Sequence, residues 1–534
     1  MLKQTVADLI SRHLNCYSQQ EQLNILAGLN VIVDFNLNID PKSPAINLEQ
    51  FQASLSKINE KELRRRDEGV YYTPKDITEY IVANSFLNYV RKDNSQVYST
   101  EHIISTIQGD TADKIIKAKV YDPTCGTAEF LLSALQLKFV IASCLQDSDV
   151  LDVVSTIYGN DIASESILLS KIRLFFAVIP LFSDKTNAKK LAKILVKNFT
   201  AFDFVLTCDF KPKYDIVIGN PPYVEYGKLP IKPSTKFGNT YADVLKNSID
   251  SLKSDGVIGF VIPISFVATP RMQEIRNYSY SKLCKLFVLN FADRPDCLFD
   301  GVHQKLTILF GQKGIGKCKV YSSSYYHWYN DERKELLNNV TIVPVLPTNT
   351  YIPKVGTEFE QSIFNKIIQV QGETLNGISK NMTGGDSLYL NMRGCFWMKA
   401  FSFNPGSNEY KRFYCPVDWK PYLISLLNSN LFFLYWTITS DCWHITGKEL
   451  SEFRISTDGI DFEAFRRIAE TLERRLEETK KYIGSKQTAY EYKHRDCKRE
   501  IDDIDTLLQP IYGLTDDEVD FLRNYKVRYR TSNG

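Results

Sequence analysis

Residues 214–226 read YDIVIGNPPYVEY. An apolar run that stops at Asn220, where two consecutive prolines can donate no backbone hydrogen bond, is the pattern of a buried strand with an abrupt end. Strands without a polar face belong to parallel sheets covered by helices on both sides. Outward from this strand the alternation of short apolar runs and helical periods holds in both directions. Upstream, AKVYD precedes AEFLLSALQLKFVIASC and TIYGND precedes SESILLSKIRLFFAVI; downstream, TYADVLKNSIDSL follows, and GVIGFVIP precedes PRMQEIRNYSYSK. LCKLFVLNFAD and KLTILFGQ then close the series as a strand pair whose short connection suits antiparallel pairing. The pattern predicts an α/β domain over 61–315, with a Rossmann-like, doubly wound, mostly parallel sheet. Its first helix is expected in TPKDITEYIVANSFL, with Thr73 as N-cap, Pro74 at the first helical position, and Ile77, Tyr80 and Ile81 on one apolar face.

Beyond residue 315 the rhythm breaks. Irregular aromatic-rich stretches such as MRGCFWMKAFSFN predict a mixed, β-rich α+β module over 316–460. A helical segment over 461–534 follows, with Ile468, Leu472, Leu476 and Ile483 as its apolar stripe and a capping box from Thr515 to Glu518. Residues 1–60 read as a helical extension without evident chemistry.

The chain of 534 residues is 44% hydrophobic and 24% charged, an ordinary globular composition and too long for one core. A net charge of +2 neither nominates nor excludes nucleic acid, which would need local basic patches. Eleven cysteines without a CxxC pair point to reduced thiols and a cytoplasmic location. The start of the chain lacks a signal-peptide core, and VIGFVIPISFVA is too short to span a bilayer, so no membrane is expected. The histidine and cysteine of DCWHI do not stand at metal-ligand spacing, so no metal is expected either.

In open parallel sheets ligands sit at the carboxyl ends of the strands. At the first such end, VYDPTCGTAEF places Asp122 beside a turn shaped by Pro123 and Gly126, with a helix from about Ala128. A carboxylate next to helix-start N–H groups suits a ligand carrying both an ammonium and a carboxylate. Asp161, after the second strand, is placed to accept from ribose hydroxyls, although a lone acid there is more often a helix cap. Asp203 and Phe204 can serve an adenine amine and ring face, although Phe204 is by default core. At the fourth end, the Asn220 amide oxygen and the Pro221 carbonyl, fixed by Pro222, converge as acceptors for one planar amine, and Tyr223 adds an aromatic wall. A plain proline turn needs neither the asparagine nor the tyrosine.

In this order, GVYYTPKDITEYIV, VYDPTCGTAEF, IYGNDIAS, AFDFV, IVIGNPPYVEY and TYADVLKNSIDSLKSDGVIGFVIP resemble the gamma-class, N6-adenine-specific DNA methyltransferases of bacterial restriction-modification systems. The resemblance spans about residues 69 to 312. It implies S-adenosylmethionine as methyl donor, held by Thr73, Asp122, Gly126, Asp161, Asp203 and Phe204. It implies catalysis by Asn220, Pro221, Pro222 and Tyr223 on an adenine swung out of double-stranded DNA, with Tyr223 and Phe299 as walls for the base and Phe291 as the competitor for Phe299. The module over 316–460 then corresponds to a target-recognition domain, and a separate cognate restriction endonuclease becomes a natural partner. Where relatives usually carry a second glycine in the cofactor loop, this chain has Ala128, whose methyl group crowds the close approach that glycine permits. The alternatives are a protein-glutamine N5 methyltransferase and the methylase subunit of a larger restriction complex. A nuclease fused ahead of the methylase is disfavoured by the short preceding segment.

Overall fold

A computed structural model of the chain describes residues 2–62, 73–142, 146–207, 210–299, 301–382, 385–484 and 488–531. Its centre is a sheet of nine strands, which in chain order are β1 (Val120–Asp122), β2 (Ile157–Asp161), β3 (Phe199–Ala201), β4 (Tyr214–Gly219), β5 (Leu252–Pro263), β6 (Leu283–Phe291), β7 (Leu306–Lys313), β8 (Lys319–Tyr326) and β9 (Ile342–Val345). In space they run β3-β2-β1-β4-β5-β7-β6-β8-β9. The first five of these are parallel, β7 is antiparallel to both β5 and β6, and β6 is parallel to β8. The chain winds outward from β1 to β3, then returns to the other side of β1 with β4. The switch point of the doubly wound sheet therefore lies between β1 and β4, where Tyr121 pairs with Val217.

The strand read first from sequence is β4, buried from Asp215 to Gly219. Helix Lys75–Val90 packs on β4, β5 and β7. Its approach is so close that a side chain at Gly259 of β5 would meet the Ser85 hydroxyl at 2.1 Å. This helix is buried on nearly every side, from Tyr80 through Asn88 without a break, so the single apolar face expected for it is corrected. The cap differs too. Lys75 is the first helical residue, and Ile77 and Thr78 donate their N–H groups to the Pro74 carbonyl, both at 3.1 Å, so Thr73 makes no cap.

The sheet does not end at residue 315, the expected domain limit. Strand β8 extends it, although its centre is Ser322–Ser323–Ser324, because the polar groups are satisfied far away in sequence. Asn290 of β6 donates its amide to Ser322 Oγ at 3.2 Å and its N–H to Ser323 Oγ at 2.9 Å, and Ser324 donates to Glu360 at 2.6 Å.

The N-terminal helical extension, described from residue 2 to residue 62, is built into the α/β unit. Helix Leu2–Leu14 packs on Leu48–Glu62, which packs on Ser164–Val178, and Gln19–Ile32 packs on Ser164–Val178 and Ala188–Asn198 of the α/β unit. A side chain at Gly28 would stand 2.8 Å from the Ala188 carbonyl oxygen.

The C-terminal region is richer in helix than its aromatic sequence suggests. One antiparallel sheet of three short strands (Asp386–Asn391, Ala400–Phe401, Tyr410–Cys415) packs on helix Lys420–Asn428, and helix Asn430–Thr439 is buried at every position. The last helices fold back into this core rather than forming a separate tail: the Arg530 guanidinium lies 4.0 Å from the Trp397 ring and 4.2 Å from Phe433. In helix Phe462–Thr479 the buried positions are Phe465, Ala469, Leu472 and Leu476, whereas Ile483 lies beyond the helix end and is 45% exposed. The capping box of Thr515 and Glu518 is present as expected. Lys448 ties the two halves together by donating to the carbonyls of Ala268 (2.8 Å) and Thr439 (2.7 Å). No helix among the described residues is long and apolar enough to cross a membrane.

Candidate functional site

Parallel pairing puts the ends of β1, β2, β3 and β4 on one edge, with neighbouring strands about 4.8 Å apart. Asp122, Asp161 and Asn220 therefore stand in a row there, and Asp203 follows β3. Contact across the switch point is direct. A side chain at Gly219 would lie 2.7 Å from Asp122 Oδ1, so only glycine fits in front of Asn220.

Asp122 is 1% exposed and accepts the Thr124 N–H at 3.0 Å. Burial holds its carboxyl well above the ordinary carboxylate range, against the Thr124 hydrogen bond, and the nearby Asp161 charge adds to the rise. Asp161 accepts two backbone N–H groups, Gly126 on one oxygen and Ala163 on the other, each at 2.9 Å. It thereby clamps the loop at Gly126, where φ is +51°.

The loop between Asp122 and helix Glu129–Ala142 is held from below by groups that sequence reading passed over. Asn160, fully buried, donates to the carbonyls of Pro123 and Phe202, both at 3.0 Å, and so fixes two strand-end loops to each other. Ser170 donates to Gly126 O at 2.7 Å. Arg173 donates to Thr127 O at 2.6 Å and forks onto Glu129 at 2.5 and 3.2 Å. Gln52, from the N-terminal helices, accepts from Arg173 Nε at 2.9 Å and donates to its carbonyl at 2.9 Å. An arginine inside the apolar period ILLSKIRLFFAV was the available signal, because a buried guanidinium needs partners.

Ala128 is fully buried with φ +71°, a left-handed conformation that costs a non-glycine residue about 1–2 kcal/mol. Burying its methyl recovers about 0.8 kcal/mol, and avoiding a glycine in the unfolded chain recovers about 0.5–1 kcal/mol. The two sides nearly cancel, which explains how alanine is tolerated where the loop geometry favours glycine.

Asp203 accepts the N–H groups of Val205 (2.9 Å) and Leu206 (3.0 Å), which turns the chain after β3. Phe204 is 2% exposed; its ring packs on Tyr121 and Phe210, and its carbonyl takes the Asn247 amide at 2.8 Å. The ring thus lies in the core, and the half-buried neighbour Phe202 has the more accessible face. Phe299 is likewise 1% exposed, in the connection between β6 and β7, and Phe291 is fully buried against Tyr326 and Trp328. Neither ring offers a face to a ligand in this conformation.

Asn220 is where elements distant in sequence meet. Its amide nitrogen donates to Thr73 Oγ1 at 3.1 Å, and its amide oxygen accepts from the Tyr223 hydroxyl, which also lies 2.9 Å from the Val261 carbonyl of β5. Thr73 therefore meets the tetrapeptide directly; Tyr71 and Tyr72, the start of the YYTP stretch, lie outside the described residues. One tyrosine proton faces two acceptors, and the Asn220 amide is oriented from both its nitrogen and its oxygen. Tyr223 is half-buried, edge-on to Tyr241 at 6.3 Å. The Thr240 hydroxyl holds Pro222 O at 2.5 Å, fixing the proline turn from the next helix. A separate cavity lined by Asp293, His327, Phe433 and Trp436 shares no residue with this site. Among the described residues no cluster of three or more histidine, cysteine or acidic groups is placed to hold a metal.

Residues 155–293 match the family Eco57I restriction-modification methylase. That stretch includes Asp161, Asp203, Phe204 and the tetrapeptide, and leaves out Thr73, Asp122, Gly126 and Phe299. The type II methyltransferase M.VspI of Vibrio sp. (strain 343) is 27% identical over 235 residues, which make up 42% of this chain and 44% of that protein. The type II methyltransferase M.BanIII of Aneurinibacillus aneurinilyticus is 25% identical over 290 residues, 51% of this chain and 44% of that protein. The chain spans less than half the length of these curated relatives. The solved structure of the type IIL restriction-modification enzyme MmeI in complex with DNA superposes with a TM-score of 0.52 at 12% identity, over 98% of this chain and 93% of that one. The chain is therefore similar to methyltransferases of restriction-modification systems, and its fold is the Rossmann-like methyltransferase fold with additional domains.

Proposed function

We propose that this protein transfers a methyl group from S-adenosylmethionine to the N6 amine of an adenine extruded from double-stranded DNA, as the modification enzyme of a restriction-modification system. The observation that carries the reading is Asn220, held by Thr73 and Tyr223 at the end of β4 and separated from the buried acid Asp122 only by a glycine. The donor set suits the methyl donor: Asp122 has no cationic side-chain partner among the described residues, the adjoining loop leads into the N-terminus of a helix, and the Asp161 carboxylate stands at the next strand end. When bound, that molecule supplies an electrophilic sulfonium methyl.

The chain's own residues do the rest. Adenine N6 is a poor nucleophile because its lone pair is delocalised into the ring. Accepting its two hydrogens at Asn220 Oδ1 and the Pro221 carbonyl favours a pyramidal nitrogen and localises that pair. The gain comes from orientation and fixed dipoles, so no strong general base is needed. The C-terminal module, tied through Lys448 to the short helix Ser265–Ala268 that follows β5, supplies the surface for reading the DNA sequence.

The test is sequencing that detects N6-methyladenine in DNA from cells expressing the chain, with Asn220→Ala alongside. Methylation at one sequence context by the parent alone supports the reading; unmethylated DNA together with a methylated protein glutamine replaces it.

Asp122 gives a second check. Its carboxyl is held above the ordinary range in the free protein, and a cation beside it favours the ionised form. Ligand binding is then expected to release a proton, and affinity to strengthen as pH rises until the free carboxyl is itself ionised. Calorimetry of S-adenosylmethionine binding in buffers of different ionisation enthalpy should show this release, and Asp122→Asn should remove it. Buffer-independent heats with the parent would count against the assignment of Asp122.

A further inference from the structure

Directly after the tetrapeptide the chain leaves the sheet edge as YGKLPIKPSTKFGN, residues 226–239. Its neck is braced. Glu225 bridges to Asn239, the Tyr226 N–H bonds Gly238 O at 3.1 Å, and the Tyr226 hydroxyl donates to Asp243 at 2.6 Å, with Thr235 donating to the same carboxylate. Arg271 forks onto Glu225 at 3.0 Å through both nitrogens, and Phe237 is buried beneath. The tip is the opposite. Ile231 is 64% exposed between Pro230 and Lys232, and Lys228, Lys232 and Lys236 are exposed with no carboxylate partner among the described residues. From residue 226 to residue 242 the sequence has no acidic residue.

An isolated exposed isoleucine needs no explanation. One at the end of a cross-braced, proline-stiffened, wholly cationic finger that starts at the catalytic tetrapeptide does. We infer that this finger enters duplex DNA beside the target, with Ile231 filling the stacking space that the extruded adenine vacates and the three lysines bound to flanking phosphates. This rests on the reading of the site as a DNA-adenine methyltransferase. Extrusion costs unpairing and unstacking, and apolar wedges between base steps recover part of that cost. The lysines hold the strand at the opening without reading sequence. The finger shares its backbone with the tetrapeptide, so the wedge and the acceptors for the flipped amine move as one unit.

The experiment uses the full chain and a duplex carrying the methylated sequence, with 2-aminopurine at the target position. The parent should raise 2-aminopurine fluorescence on binding. Ile231→Ala should reduce that rise by at least about half and slow single-turnover methylation of the unlabelled duplex about tenfold, the equivalent of about 1.4 kcal/mol. A mismatch opposite the target, which lowers the extrusion cost, should bring the variant within about twofold of the parent. Equal fluorescence and rate on the matched duplex, or an undiminished defect on the mismatched one, would overturn the wedge. Replacing the three lysines by glutamine should reduce the slope of log affinity against log salt by about two to three, close to one per phosphate contact, and an unchanged slope would overturn the phosphate assignment. A parent chain that methylates no DNA would overturn the parent reading; an active parent beside an unaffected Ile231→Ala overturns the wedge alone.

Discussion

Asn220→Ala is expected to lower the single-turnover rate of methyl transfer by about a hundred- to a thousandfold, the range seen when one preorganised polar group is removed from a reacting centre. The expectation follows from how much structure is spent on one amide. Thr73 receives its N–H at 3.1 Å, Tyr223 donates to its oxygen, and Val261 of the neighbouring strand holds the tyrosine at 2.9 Å. Alanine removes the acceptor and leaves the Pro221 carbonyl alone to orient the amine. It leaves Gly219 and Asp122 unchanged, so the dissociation constant for S-adenosylmethionine should stay within about twofold, well under the 1.4 kcal/mol of a tenfold change. Asn220→Asp keeps an acceptor but loses the donor to Thr73 and brings a second acid towards buried Asp122, so it should fall between parent and alanine. Tyr223→Phe separates two roles for the aromatic residue. A ring that serves only as a wall predicts parent activity, whereas the hydroxyl contact to Asn220 predicts a loss of about tenfold, roughly one neutral hydrogen bond. Rapid-quench measurement with the methylated sequence decides both, and an Asn220→Ala enzyme that turns over like the parent would remove the mechanism.

The row of candidate site residues was legible because it follows from one rule applied to one pattern. Uninterrupted apolar runs alternating with helices imply a parallel sheet, and a parallel sheet gathers its ligands at strand ends. That rule nominates Asp122, Asp161, Asp203 and Asn220, and the switch between β1 and β4 makes the first and last of them neighbours. What the rule cannot supply is which way an aromatic side chain next to a strand end turns. Phe204, by default core in sequence, and Phe299, expected as a wall for the base, both lie in the core, while Phe202, two residues before Phe204, keeps a more accessible position. Strand β8 was hidden for a different reason. A strand with three central serines has no apolar signature, and it is stable because Asn290 and Glu360, far apart in the chain, satisfy those hydroxyls or the backbone beside them. The brace beneath the cofactor loop was invisible on the same ground: Gln52 and Arg173 are 121 residues apart.

That brace makes the largest stability prediction. Arg173 is 5% exposed and spends its guanidinium on three acceptors at once, the Thr127 carbonyl at 2.6 Å, the Glu129 carboxylate and the Gln52 side chain at 2.9 Å. Removing one member of a buried ion pair usually costs about 3–5 kcal/mol because it strands the other, and the lower end applies here, since the Glu129 side chain is 21% exposed and also accepts from the Ser56 hydroxyl at 3.3 Å. Arg173→Ala is therefore expected to lower the apparent Tm by about 3 °C, because an unfolding entropy of about 2.1 cal/mol/K per residue makes 1 kcal/mol worth about 1 °C in a chain of 534 residues. The loss should be felt first in the loop from Asp122 to Ala128, so S-adenosylmethionine should bind at least about tenfold more weakly, a difference of 1.4 kcal/mol. Arg173→Lys is not a rescue, because one ammonium cannot reproduce the planar fork onto Glu129 and still reach Thr127 and Gln52. The diagnostic comparison is the double variant Arg173→Ala/Glu129→Gln. If the stranded carboxylate is the source of the cost, the double variant should be more stable than Arg173→Ala alone, with a coupling of about 1–2 kcal/mol. A double variant no more stable than the single one would place the cost elsewhere, in the Thr127 carbonyl or the Gln52 contact. Gln52→Ala then separates those two: it leaves the ion pair intact and removes one of the two contacts that helix Leu48–Glu62 makes with the brace, the other being the Ser56 hydroxyl, which donates to Glu129 at 3.3 Å. A weakened cofactor affinity in Gln52→Ala, with Tm nearly unchanged, would mean that the N-terminal helices set the position of the cofactor loop and not merely its stability.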